Sequence, residues 1–360
     1  MFFELIFPKS VVLNGIIEVA NIANILILLL IKKEVINKMR KDKGTKISII
    51  GGAGSVGATT AYTITLSGLA KELVLVDIAK DKAEGQVLDL NHGAAFINPM
   101  YIRAGHYEDT KDSEIVIFTA GIAQKPGQTR LELVEKNIKI FESIIPEVVR
   151  YSPNAILIVV SNPVDILSYV AYELSGFSKE RVIGSGTVLD TSRFKYEIGR
   201  NFKIDPRDVQ TYILGEHGDT SFPAWSLTNI NGIPIAEYAK LVNVKYDDEF
   251  KHNTYQNVKN AAYEVINKKG ATYYAIALSV THIVGAILRD KRCVLPVSTL
   301  VNNYYNIDDV YLGIPSIIGR NGVERVLKVS LDEEEVNNLN KSANVLRTTL
   351  NNSFLKSEKA

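Results

Sequence analysis

From Lys46 onward, short β-branched runs alternate with longer stretches in which apolar residues recur at helical spacing. Lys46-Ile-Ser-Ile-Ile50, Leu73-Val-Leu-Val76, Ile115-Val-Ile-Phe-Thr119 and Ala155-Ile-Leu-Ile-Val-Val160 each read as a buried strand, because they are short and apolar on both faces. Helices are predicted from about Ala58 to Leu66, from Arg130 to Arg150 and from Ala275 to Leu288. Strands alternating with helices imply a doubly wound parallel sheet. Near the C-terminus, Ser330-Leu-Asp-Glu333 matches a capping box, and Val336, Leu339, Ala343, Leu346 and Leu350 form one apolar stripe. This predicts an amphipathic helix whose stripe packs on a core.

Composition narrows the classes. The 360 residues are 46% apolar and 22% charged, enough for two domains that share a sizeable interface. A net charge of +1 argues nothing for nucleic acid. The single cysteine, Cys293, excludes a disulfide within the chain, and no Cys/His cluster has zinc-like spacing. A cytoplasmic, reducing location and no structural metal are expected.

Residues 1–38 differ in character from the rest of the chain. Ser10 to Ile31 is long enough to span a bilayer, but Glu18 would cost about 2.5 to 3.5 kcal/mol at its centre, and no small-residue cleavage site comes after it. Lys33-Glu-Val35 can be encoded as a strong bacterial ribosome-binding sequence with Met39 at a suitable distance. We therefore expect 1–38 to be a non-native or disordered extension and the natural product to start at Met39. An N-terminal peptide beginning at Met1 in mass spectra of native material would refute that. If the segment is real, a membrane-tethered form is the alternative.

The first strand ends in Gly51-Gly-Ala-Gly-Ser-Val-Gly57, which leads into a helix. In such a turn Gly52 permits the tight bend, Gly54 lets the backbone approach a pyrophosphate, and Gly57 lets the helix pack against the strand. A glycine pattern alone is weak. Its weight comes from Asp77, which closes the second strand twenty residues after Gly57. A carboxylate there can accept the ribose hydroxyls of NAD and would repel the extra phosphate of NADP. The reading is a Rossmann-type domain over 39–182, followed by an α+β catalytic domain over 183–355.

Ligands on these sheets sit beyond the carboxyl ends of the strands. Two segments there stand out. Ala120-Gly-Ile-Ala-Gln-Lys-Pro-Gly-Gln-Thr-Arg130 carries Gln124 and Arg130 on a glycine- and proline-containing loop suited to closing over a substrate. In isolation, a solvated loop with a surface arginine is the plainer reading. Ser161-Asn-Pro-Val-Asp165 holds Asn162 out of helical geometry before a proline, with its amide free to point into a cleft; it is also an ordinary turn.

The chemistry centres on Tyr212-Ile-Leu-Gly-Glu-His-Gly-Asp-Thr220, where an apolar run delivers His217 between two glycines and two carboxylates. Imidazole titrates near neutrality and can give a proton to a substrate. A lone histidine is more often a packed or surface residue, so an acid here needs partners. Asp190 and Arg193 stand three apart and share a helix face. They are either a local helix pair or two separate tools, Asp190 orienting His217 and Arg193 clamping a substrate carboxylate. Thr272 lies near the start of the 275–288 helix, where its hydroxyl can cap or touch substrate.

Taken together, these motifs resemble the L-lactate dehydrogenases of the lactate/malate dehydrogenase family, most closely the bacterial branch. The resemblance runs from about Lys46 to Leu350 and rests on the order and spacing of Gly52-Ala-Gly-Ser-Val-Gly57, Thr119-Ala-Gly121, Gln124-Lys-Pro-Gly127, Arg130-Leu131, Ser161-Asn-Pro-Val-Asp165, Asp190-Thr-Ser-Arg193, Gly215-Glu-His-Gly-Asp219 and Lys269-Gly-Ala-Thr-Tyr-Tyr274. It implies reversible hydride transfer between NADH and pyruvate, giving L-lactate and NAD+, as in the fermentation of glycolytic pyruvate. In that scheme His217 gives the proton, Asp190 holds the imidazole, Arg193 clamps the carboxylate and Arg130 polarises the carbonyl. Asn162 donates to the substrate oxygen. On the cofactor side it adds Val56, Tyr107 near the adenine, Gly121, Ser143 and Asn162 to Gly52, Gly54, Gly57 and Asp77.

Gln124 and Thr272 carry the substrate expectation. Malate dehydrogenases of the family have an arginine at the position of Gln124, which pairs with the second carboxylate of oxaloacetate; a glutamine leaves that charge unpaired, favouring pyruvate. Relatives activated by fructose 1,6-bisphosphate usually carry arginine and histidine where this chain has Lys195 and Gln210. Weak or absent activation is expected, because glutamine cannot become cationic. The resemblance implies a homotetramer, the usual assembly of a family that also includes dimers. Malate dehydrogenase is the nearest enzymatic alternative, and a catalytically idle protein on the same fold the alternative of a different class. The idle reading leaves His217, Asp190, Arg193 and Arg130 together without a physical purpose.

Overall fold

The structure, a computed structural model, describes residues 44–122 and 130–357. The expected N-terminal extension therefore lies outside the described residues. From Lys46 on, the chain forms one compact unit.

Its first part is a run of strand and helix: β1 (Lys46–Ile50), α1 (Ser55–Ser67), β2 (Glu72–Val76), α2 (Lys80–His92), β3 (Tyr101–Gly105), β4 (Ile115–Phe118), α3 (Arg130–Tyr151), β5 (Ile156–Val159), α4 (Val164–Ser175), β6 (Val182–Gly184) and α5 (Val188–Phe202). The six strands pair in parallel in the order β3-β2-β1-β4-β5-β6. All four predicted strands lie within this sheet. Their uniform apolarity follows from burial on both faces. Ile47, Ile49, Ile115, Ile117, Ile156 and Ile158 enter one core, with α1 residues Ala61 and Ile64. Ile50, Val116, Phe118, Leu157 and Val159 enter the opposite core, with Val134, Ile138 and Phe141 of α3 and residues of α4.

After α5 come five two-residue strands, β7 (Val209–Gln210), β8 (Ile213–Leu214), β9 (Phe222–Pro223), β10 (Asn229–Ile230) and β11 (Ile233–Pro234), then α6 (Ile235–Leu241), α7 (Asp248–Lys269) and α8 (Tyr274–Leu288). The chain then returns to the sheet as β12 (Cys293–Val301), β13 (Val310–Gly319) and β14 (Gly322–Val326), added antiparallel beyond β6. The result is one nine-stranded sheet. The expected domain boundary at 182/183 falls inside β6, which pairs with β12 at Gly184 and Ser298.

The C-terminal helix α9 (Glu333–Asn352) buries Leu339, Ala343, Leu346 and Leu350, the expected stripe. Its capping box is displaced from the sequence expectation. Asp332 rather than Ser330 is the N-cap: Oδ1 accepts the Glu335 N–H at 2.8 Å, and Glu335 Oε2 accepts the Asp332 N–H at 3.1 Å. Glu335 also accepts the Ser226 hydroxyl at 2.5 Å, which ties the helix to the segment between β9 and β10. No helix among the described residues is long and apolar enough to cross a membrane.

Candidate active site

Because β1 to β6 run parallel, the segments just after them gather at one edge of the sheet. The glycine turn comes after β1. The sharp bend is made by Gly51, with φ of 89°, and not by Gly52 as the sequence suggested. The N–H groups of Gly51 and Gly52 both donate to the Val76 carbonyl, at 2.8 and 3.1 Å. Gly52 is required for another reason: a Cβ there would lie 2.8 Å from the Cβ of Leu75. A Cβ on Gly57 would strike the Gly51 carbonyl oxygen and lie 2.8 Å from Thr119 Oγ1, so close helix–strand packing is its role, as expected. A Cβ on Gly54 would meet only the Gly51 carbonyl at 3.4 Å, which leaves room for a ligand at the start of α1.

Asp77 comes directly after β2, and its two oxygens accept the N–H groups of Ala53 and Ala79, each at 2.9 Å. The carboxylate is thus fixed against the glycine turn, and each oxygen keeps a lone pair for another donor. Tyr107 lies just past β3, and its hydroxyl is raised in pKa by burial, with the charges of Glu147 and Asp77 adding to it. Val56 sits half-buried in the first turn of α1. Ser143 is exposed on α3, and its hydroxyl donates to its own helix at the Ile140 carbonyl, 2.8 Å away. The glycine turn, the open ground at Gly54 and the oriented Asp77 fit the residues to NAD.

Gly121 and Asn162 lie just past β4 and β5 and are linked by a residue the sequence reading missed. Asn137, buried on α3, accepts the Ile122 N–H at 2.9 Å and donates to the Asn162 carbonyl at 2.8 Å. The signal was a polar side chain on the stripe of Val134, Ile138 and Phe141. Gln124 lies outside the described residues; Arg130 opens α3, and its side chain is likewise outside them.

His217 is carried on the loop after β8. Gly215 and Gly313 exchange two backbone hydrogen bonds of 3.0 and 2.9 Å, which dock the loop on β13. From α5, Asp190 places Oδ2 2.6 Å from Nδ1 of His217. A carboxylate only accepts, so Nδ1 carries the proton in this contact and Nε2 is left for a substrate. Burial lowers the pKa of His217, but the charge of Asp190, its hydrogen bond and the charge of Asp165 outweigh that and raise it to about 9. Asp190 moves the other way: burial raises it, yet the charges and hydrogen bonds of His217 and Arg193 bring it below its ordinary value. The arrangement is a protonated imidazole held at neutral pH.

Arg193 differs in one respect from the expected separation of partners. Its Nη1 donates to Oδ1 of Asp190 at 2.9 Å, so the local helix pair is present alongside the His217 contact. One carboxylate holds both cations. A guanidinium has five N–H donors, so this bond does not exhaust it. Thr272 stands in the segment before α8, but the N-cap there is Tyr273 and has no side-chain cap, so the capping alternative for Thr272 is not realised. Asp165 is the second missed residue. It is buried in the first turn of α4, accepting the His217 backbone N–H at 2.7 Å and the Ser298 hydroxyl at 2.5 Å. An acid followed at once by Ile-Leu in an apolar helix was its trace in the sequence.

Comparison with known proteins gives the same picture along the chain. Residues 45–184 match the family model for the lactate/malate dehydrogenase NAD binding domain, and residues 187–356 that for the lactate/malate dehydrogenase alpha/beta C-terminal domain. An L-lactate dehydrogenase of Clostridium botulinum (strain Loch Maree / Type A3) is 63% identical over 314 residues, covering 87% of this chain and 98% of that protein. L-lactate dehydrogenase 1 of Clostridium acetobutylicum is 58% identical over 312 residues, with 87% and 99% covered. Among solved structures, the minor L-lactate dehydrogenase of Enterococcus mundtii superposes with a TM-score of 0.83 at 43% identity, covering 86% of this chain and 98% of that one.

Proposed function

The chain belongs to the lactate/malate dehydrogenase family and is an NAD-dependent oxidoreductase, and from that premise we propose that it is an L-lactate dehydrogenase with His217 as proton donor and acceptor. The observation that carries the mechanism is the 2.6 Å contact between His217 Nδ1 and Asp190 Oδ2. The substrate assignment is supported by the L-lactate dehydrogenases to which the chain is 63% and 58% identical, and by the neutral Gln124.

When bound, NAD supplies the hydride chemistry. The chain's own residues do the rest. Protonated His217 offers Nε2–H to the ketone oxygen of pyruvate, and Asp190 stabilises the imidazolium before transfer and keeps the ring in place after it. Arg193 binds the carboxylate, Arg130 polarises the carbonyl, and Asn162 donates to the same oxygen. Thr272 and Gln124 border the methyl group, where a second carboxylate would be left unpaired. The glycine turn at Gly52, Gly54 and Gly57 and the carboxylate of Asp77 hold the dinucleotide, with Val56, Tyr107, Gly121 and Ser143 along it.

Residues 39–182 then serve the cofactor and 183–355 the substrate. Activation by fructose 1,6-bisphosphate is weak or absent in this reading. Lys195 is half-buried with its pKa lowered by burial, and Gln210 is neutral, its amide donating to the Arg207 carbonyl at 3.4 Å. A homotetramer in the cytoplasm completes the proposal. Chiral analysis of the product formed from pyruvate and NADH tests it: L-lactate is expected, and D-lactate or no turnover would refute it. A large fall in pyruvate half-saturation on adding the bisphosphate would overturn the regulatory part.

A further inference from the structure

We propose that Lys269 is a positioning residue for substrate selection: its ammonium clamps the rings of Tyr273 and Tyr274 across the turn between α7 and α8 and so fixes the place of Thr272. The inference rests on the reading of Thr272 as a residue that borders the substrate's methyl group.

The turn is short and otherwise loose. Helix α7 ends at Lys269, and Gly270 closes it with φ of 86° and an N–H that donates to the Ile266 carbonyl at 2.8 Å. A Cβ on Gly270 would meet nothing within 4 Å, so no packed neighbour limits rotation there. Such a glycine is a swivel. Thr272 stands two residues beyond it, and its hydroxyl bonds to no described residue, so its place is set by the backbone.

Across the swivel, Nζ of Lys269 lies 3.6 Å from the centre of the Tyr273 ring and 3.8 Å from that of Tyr274. Both are well inside the roughly 6 Å at which an ammonium is drawn to an aromatic face. The two rings meet edge to face with centres 4.6 Å apart, so one cation serves both and the rings brace each other. The neighbouring Lys268 instead takes the ordinary helix pair with Glu264. The clamp therefore joins the last residue of α7 to the first of α8, with Thr272 enclosed between them.

Helix α7 is itself registered to the proton donor. Tyr255, Lys259 and Tyr263 recur every four residues and share one helix face. Tyr255 donates its hydroxyl proton to the Ser221 carbonyl, Lys259 donates to the Asp219 carbonyl at 3.0 Å, and the Tyr263 hydroxyl reaches Asp219 Oδ1 at 3.5 Å. Those acceptors lie on the loop that carries His217. The clamp passes this register on to Thr272, so the span from the proton donor to the wall facing the substrate's tail is fixed through α7. Loosening it lets that wall recede while His217 stays in place, and the signature is altered selection among 2-oxo acids.

Lys269→Met and Lys269→Arg in the full chain test this, with NADH oxidation measured on pyruvate and 2-oxobutyrate. Methionine keeps the stem and removes the charge, whereas arginine keeps a cation over the rings. For Lys269→Met we expect kcat/KM for 2-oxobutyrate relative to pyruvate to rise roughly fivefold, through a raised pyruvate KM with kcat within about twofold, and Lys269→Arg to restore the parent ratio. A parent-like ratio in Lys269→Met, or the same shift in Lys269→Arg, would overturn the proposal. Should Lys269→Met fail to fold, Tyr274→Leu removes one exposed ring alone and should move the ratio the same way; no movement there is equally fatal. Thr272→Ala reads the underlying assignment separately. An unchanged ratio and pyruvate KM in Thr272→Ala would remove Thr272 from the substrate, while a shifted ratio there beside an unmoved Lys269→Met would reject the clamp alone.

Discussion

His217 and Asp190 meet at 2.6 Å between Nδ1 and Oδ2, and the other oxygen of that carboxylate holds Arg193 at 2.9 Å. One partly buried carboxylate thus fixes the acid and steadies the neighbouring guanidinium. Replacing Asp190 by Asn leaves the shape but offers an N–H where the ring needs an acceptor. We expect kcat for pyruvate reduction to fall roughly 100-fold or more, and the alkaline limb of kcat/KM to move to lower pH as the imidazolium loses its partner. A pH series from the variant and the parent checks both, and an unmoved limb would contradict the role given to Asp190.

The same coupling makes a stability prediction. His217 is raised from its ordinary 6.5 to about 9, so the folded state holds this proton more tightly than the unfolded chain. Its contribution is fully present below about pH 6.5 and is lost as pH rises through about 9. Urea unfolding at intervals across that window should show stability declining by up to about 1.4 kcal/mol per pH unit from this group, and His217→Gln should remove that slope.

Two glycines should respond oppositely to alanine. At Gly57 a Cβ would lie 2.8 Å from Thr119 Oγ1 and 2.9 Å from Gly52 Cα. Gly57→Ala should therefore destabilise the fold by about 1 to 3 kcal/mol and weaken NADH binding, because the start of α1 must shift. At Gly85, inside α2, nothing lies within 4 Å of the new methyl, and Gly85→Ala should stabilise by about 0.5 to 1 kcal/mol with unchanged NADH affinity. Thermal melting and NADH fluorescence titration read the pair.

Asp77 is held by the Ala53 and Ala79 amides at 2.9 Å, which points its charge at one place. Asp77→Ser should raise the ratio of kcat/KM for NADPH to that for NADH by roughly tenfold or more, since the repulsion of a 2′-phosphate is removed. A ratio that stays put would show that this carboxylate does not choose the cofactor.

Much of this was legible because buried parallel strands and a glycine turn leave strong local patterns. Ile47, Ile49 and Ile50 announce a two-faced core, and Gly57 announces a close packing. What escaped was set by distant partners. Strands β12 and β13 pair Pro296 with Pro315 in mid-sheet, a residue type that argues against a strand when read locally. Asp332 rather than Ser330 caps α9 because Glu335 is also committed to Ser226, a contact over a hundred residues away in sequence. Asn137 and Asp165 looked like ordinary polar residues; only the folded chain shows that one ties Asn162 and the other His217. The bend read at Gly52 falls on Gly51, because the left-handed φ and the close approach of Leu75 fall on adjacent glycines.

In the proposed mechanism His217 protonates a short 2-oxo acid bearing a single carboxylate. NADH oxidation with pyruvate and with oxaloacetate, measured in parallel for the parent and for His217→Gln, tests it most directly. We predict a kcat/KM for pyruvate roughly 100-fold or more above that for oxaloacetate, and a loss of roughly 1,000-fold in kcat on replacing His217. Preference for oxaloacetate would contradict the part given to Gln124, and a His217→Gln enzyme that keeps its turnover would contradict the mechanism itself.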